Sequence, residues 1–145
     1  MTVEQMTRLI ENAEIAEAQR VTRVRSKIYG YTFNADGDIA VVPEEAKVIE
    51  QIFGELSTIT FMSCAKILEE IAKDFRTSEK QTRTRSNRLF TSAMLLKLAK
   101  QPIYGGLSPE LDAWGRYVRQ STYPAICSES QFRTTIKRLK RESLA

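Results

Sequence analysis

The sequence predicts an α+β domain that is mainly helical, and three observations carry that expectation. Apolar residues recur at i, i+3, i+4 spacing in several separate segments. One stretch, Tyr29 to Val42, alternates instead and carries an Asp36-Gly37 turn at its centre. The chain has 145 residues, 42% of them hydrophobic, which suffices for one compact domain plus an appendage.

Residues 2–25 contain neither Gly nor Pro, and Met6, Leu9, Ile10, Ala13 and Ala16 repeat at helical spacing, so one long N-terminal helix is expected. Ile28 to Val42 reads as a small hairpin: Tyr29, Tyr31 and Phe33 alternate on one arm, Ile39, Val41 and Val42 follow on the other. Pro43 with Glu44 and Glu45 makes a good first helical turn, because proline loses no needed donor there and acids favour the positive end of the dipole. Ile49, Ile52, Phe53 and Leu56 form its apolar stripe. Ser63 can cap the next helix, in which Cys64, Ile67, Leu68, Ile71, Ala72 and Phe75 mark the clearest amphipathic face of the chain.

Residues 76–88 have no apolar side chain, so the segment is expected to be mobile and to take order only from a partner. A third core helix is expected from Thr91 or Ser92, burying Leu95, Leu98 and Ala99 and stopping before Pro102. Residues 103–106 and 115–119 read as two short strands, with Gly105-Gly106 marking a turn or a close backbone approach. Ser128 and Gln131 fit a capping box for a last helix whose Phe132, Ile136 and Leu139 face inward while Arg133, Lys137, Arg138, Lys140 and Arg141 ring the outside.

Composition removes several chemistries. There is no histidine, so the usual neutral-pH base, His-containing zinc sites and Ser-His or Cys-His nucleophile pairs are absent. Adjacent carboxylates such as Glu44 with Glu45 and Glu69 with Glu70 point to different helix faces. No Gly-rich phosphate loop is present, and no metal or other cofactor is expected. Cys64 and Cys127 are expected to be free core thiols in a reducing cytoplasm. No apolar run approaches a membrane span, so no membrane is expected as partner; no small-molecule substrate is expected either.

The +4 net charge is unevenly distributed. Residues 20–33 hold Arg20, Arg23, Arg25 and Lys27 without an acid; residues 34–75 hold three Lys against nine acids. In residues 76–100, Arg76, Lys80, Arg83, Arg85, Arg88, Lys97 and Lys100 face Glu79 alone. This second run leads into a helix whose exposed positions, Thr91, Ser92, Ala93, Lys97 and Lys100, are small or basic. Flexible cations and a helix N-terminus suit phosphates, and small side chains let a helix sit deep in a major groove. Double-stranded DNA is therefore the expected partner, met by a helix-turn-helix-like surface, with the first basic run as a candidate minor-groove arm.

One order of motifs points further. Ile28-Tyr29-Gly30-Tyr31, then Asp36-Gly37, then Val42-Pro43-Glu44-Glu45-Ala46 with Val48, Ile49, Ile52 and Phe53 resembles the start of the recombinase domain of large serine recombinases. Ser63, Ala65, Ile67, Leu68 and Ile71 resemble its second helix. Phe90, Leu95, Leu98, Pro102, Tyr104 and Gly106 resemble its next stretch, and Pro124-Ala125-Ile126-Cys127-Ser128 with Phe132 and Leu139 its closing helix. Phe90, Ala99, Gln101, Tyr123 and Cys127 stand where the family often has Trp, Leu, Asn, His and Val. The resemblance covers residues 20–142. It implies residues 1–25 as the end of a connecting long helix, 26–142 as a recombinase-type DNA-binding domain and 143–145 as a tail.

It further implies that the chain binds one half of an attachment site, in the cytoplasm and with the nucleoid. Cutting and rejoining would belong to a catalytic domain of a parent recombinase, an integrase, invertase or transposase acting as a dimer or tetramer on DNA. That catalytic domain, and the zinc ribbon that often follows in the family, are expected to be missing from this piece. A helix-turn-helix transcription regulator or accessory factor without recombinase activity is the alternative. An interaction module using the first helix as a coiled-coil stem fits less well, because its apolar stripe is short and rich in alanine.

Overall fold

A computed structural model describes residues 2–7 and 28–145. Residues 3–7 are helical; the rest of the expected long first helix, with Arg20, Arg23, Arg25 and Lys27, lies outside the described residues. The hairpin is β1 (Tyr31–Phe33) antiparallel to β2 (Ile39–Val41), with Thr32 opposite Ala40. Its turn is closed by Asn34, whose side-chain oxygen accepts the Asp36 and Asp38 amides, and Gly37 takes φ +81°, open to glycine at little cost.

Four helices follow: α1 (Pro43–Thr58), α2 (Cys64–Thr77), α3 (Ser92–Ala99) and α4 (Glu129–Arg141). Their starts follow the sequence signals. Pro43 opens α1. The Ser63 hydroxyl accepts the Lys66 amide, Thr91 accepts that of Met94, and Ser128 with Gln131 completes the capping box of α4. The expected stripes are buried: Ile49, Ile52, Phe53 and Leu56 on α1, Ile67, Leu68 and Ile71 on α2, Phe132 and Leu139 on α4. Helix α4 lies along α1, and α3 lies on α2. Both cysteines are free and buried.

Aromatic rings join hairpin and helices. Tyr31 stacks on Tyr104 at 6.0 Å, and Phe53 contacts both Tyr104 and Phe132. The two buried phenols reach backbone oxygens, Tyr31 donating to Pro124 at 2.6 Å and Tyr104 to Tyr29.

Three expectations are corrected. Residues 103–106 do not form a strand: Pro102–Gly105 is a 3-10 turn, and only the isolated bridge Leu107–Arg119 pairs this region with residues 115–119. The turn swings Tyr104 into the core and brings Gly105 against α4, where a Cβ would stand 2.6 Å from that of Phe132. Glycine is required there by space. Leu98 is partly buried and packs against the edge of the core, whereas Leu95 and Ala99 on α3 turn fully inward. Arg138, expected on the outer face of α4, is 8% exposed.

Candidate nucleic-acid interface

The connection from α2 to α3, residues 78–91, is much longer than the 3–4-residue turn of a helix-turn-helix. It is also ordered by the chain itself, contrary to the expectation from its composition. Thr82 donates to the Phe75 carbonyl at 3.1 Å, Arg83 bridges to Leu89, and Thr84 donates to Arg88 O at 2.9 Å. The tip is a tight turn in which Asn87 takes φ +62°, a conformation asparagine tolerates better than most residues. Residues 83–89 are thus a miniature hairpin lacking any apolar contribution from residues 83–88.

Arg85 anchors this hairpin. Its Nε donates to Glu45 Oε2 at 2.8 Å and its Nη2 to Glu45 Oε1 at 2.6 Å, the two-pronged geometry that favours arginine over lysine. Nη2 also donates to the Tyr31 carbonyl, and the guanidinium lies 5.9 Å from the Tyr29 ring centroid. Glu45 in turn accepts the Gly30 amide at 2.7 Å. The hydrogen bond to Glu45 raises the Arg85 pKa above its usual value, and burial pushes the Tyr29 phenol up to about 12. Expected as a phosphate contact, Arg85 instead ties the loop to β1 and α1.

Its neighbours face outward. Arg76, Lys80, Arg83, Arg88, Lys97 and Lys100 are exposed, and among the described residues none of them forms an ion pair. Arg83 donates to Asn87 O at 3.0 Å and to Gln81 at 2.7 Å, which stiffens the turn. Thr91 and Ala93 are exposed and Ser92 half-exposed on the first turn of α3. Beside that turn, Tyr29, Phe90, Met94 and Leu98 line an open apolar cleft of about 420 Å³ under the hairpin. The sequence-predicted site residues from 76 to 100 therefore fall on the end of α2, the hairpin and α3, with Arg85 engaged by Glu45 and the other cations exposed.

Among the described residues no group of three or more His, Cys, Asp or Glu gathers as a metal site. No helix is long and apolar enough to cross a membrane, again among the described residues. Fold and surface together define a small α+β domain with a basic face. A family model described as Recombinase matches residues 43–142, and the chain belongs to that family, the central recombinase domain of serine recombinases. Membership connects it with site-specific recombination and with DNA. Neither a curated protein nor a solved structure matches the chain.

Proposed function

We propose that this domain recognises one half of a recombination site in duplex DNA, with the first turn of α3 at the major groove and the basic hairpin on the flanking phosphates. One observation supports the reading above others. Six exposed cations without an ion-pair partner among the described residues lie along the segment that runs from the end of α2 through the hairpin to the C-cap of α3, and the capped start of α3 carries small side chains, so the surface can approach base edges while the charges settle on the backbone. Cutting and rejoining would fall to a catalytic domain of the parent recombinase, acting as a dimer or tetramer on DNA; this chain binds and does not cut.

The test is binding to a specific half-site and to a scrambled duplex, with Ser92→Glu and Ala93→Glu compared against the unchanged protein. Neither position is in the core, so the fold should survive. The expected outcome is loss of the specific over non-specific ratio, which corresponds to several kcal/mol for typical site-specific proteins. An unchanged ratio would place the recognition surface elsewhere.

A further inference from the structure

The turn between α1 and α2 presents Phe61, 83% exposed, to solvent. An exposed aromatic on a turn is ordinarily unfavourable, yet this turn is firmly held. Arg138, from α4, donates to the carbonyls of Leu56 at 3.0 Å, Ile59 and Met62, so one guanidinium fixes both ends of the segment carrying Phe61. Glu142 completes the clamp, accepting from Arg138 Nε at 3.1 Å and from the Cys64 amide at 2.7 Å.

Above the clamp lies an open cavity of about 600 Å³ between this turn and the last turns of α4. Thr60 and Phe61 form one wall, Thr134, Lys137 and Arg141 the other. Lys137 and Arg141 are exposed and, among the described residues, have no ion-pair partner. The carboxylate lining the cavity, Glu142, is already engaged by Arg138.

Resting on the DNA-binding reading above, we infer that this groove is a second contact with the duplex backbone, separate from the α3 surface. A phosphate suits it in charge, because two cations face it and the lining acid is neutralised. Phe61 suits the neighbouring deoxyribose, offering an apolar face on the wall opposite the cations from a turn that Arg138 holds. An acidic protein would satisfy the charges as well, but it supplies no regular apolar sugar beside each anion, and the family engages DNA.

The experiment measures affinity for a 30-base-pair duplex of arbitrary sequence across a salt series, for the unchanged protein, Lys137→Gln/Arg141→Gln, Phe61→Ala and Arg83→Gln/Arg88→Gln. Thermal unfolding of each variant checks that the fold is kept. If the groove takes two phosphates, the first double variant flattens the log K against log salt slope by about 2, as the hairpin double variant does. Phe61→Ala weakens binding roughly 3- to 10-fold with the slope retained, since apolar burial releases no counterion. Binding by the unchanged protein with the same slope in Lys137→Gln/Arg141→Gln overturns the inference and leaves the α3 reading standing. Absence of duplex binding by the unchanged protein at low salt removes both.

Discussion

The basic hairpin after α2 and the last turns of α4 are assembled on one plan and differ in depth. In each, one arginine turns inward to a carboxylate and to backbone carbonyls of a distant segment, while neighbouring cations stay in solvent. Arg85 retains 34% of its side-chain exposure; Arg138 retains 10%. The hairpin is therefore fastened at the surface, whereas the α1–α2 turn is fastened from within. The comparison also shows that, in a basic chain, charge alone does not mark the ligand contacts. Arg85 and Arg138, which join a carboxylate to carbonyls of a distant segment, serve the fold, whereas Arg83 bonds only within its own hairpin.

The sharpest way to break the comparison is Arg138→Ala. It removes the cation beside a half-buried carboxylate and the donor to three carbonyls at once, so urea unfolding should register a loss of about 3–5 kcal/mol. Lysine should recover little of it, lacking the planar fork. A cost below about 1 kcal/mol would show that the clamp is ornamental.

Arg85→Ala should be milder, about 1 kcal/mol, because a third of the side chain is already in water. Its larger effect should be local. Amide exchange at Thr84 and Asn87, whose hydrogen bonds close the hairpin, should accelerate while the core amides keep their rates. Uniform acceleration would mean that the hairpin is part of the global folding unit and not a separately fastened element.

Acid should separate the two regions by a smaller margin. The Cys64 backbone amide, aided by the Cys64 thiol and Arg138, holds the Glu142 carboxyl below its usual pKa of 4.5. A carboxyl lowered in the folded state stabilises it above the unfolded pKa, and that stabilisation is lost as pH falls through the folded value. Stability should therefore drop below about pH 4.5, and Glu142→Gln should remove this part of the decline. A Glu142→Gln profile that parallels the unchanged protein through this window would sever the link between clamp and carboxylate.

The same contrast explains what the sequence made legible. Helix starts were readable because caps act over three or four residues: Pro43, Ser63, Thr91 and the Ser128–Gln131 box each stand where the helix begins. The core of α1 and α2 was readable for the same reason, through local periodicity. Arg138 was not, because it sits at the edge of the apolar stripe of α4 and its partners are carbonyls of a turn some 80 residues earlier, which carry no side-chain signature. Arg85 and Glu45 are likewise 40 residues apart, so a segment devoid of apolar residues read as mobile although this ion pair and the hairpin's own hydrogen bonds order it. At residues 103–106 the aromatic-glycine pattern suggested a strand, but Pro102 and the close packing of Gly105 on Phe132 favour a 3-10 turn. The charge run showed which residues are basic; that Arg85 pairs with Glu45 was a property of the fold.

The central claim, that the cations of the hairpin and of α3 bind duplex DNA while Arg85 holds the hairpin in place, is tested most directly by the salt dependence of binding. The exposed cations Arg76, Lys80, Arg83, Arg88, Lys97 and Lys100, neutralising about as many phosphates, contribute about −5 to the log K against log salt slope, and the Lys137 and Arg141 groove brings it to about −7. Replacing Arg83 and Arg88 with glutamine should flatten it by about 2. Arg85→Lys should lower affinity with little change of slope, since its charge never meets a phosphate. A slope near zero in the unchanged protein, or a slope that falls with Arg85→Lys as far as with the hairpin double variant, would contradict the claim.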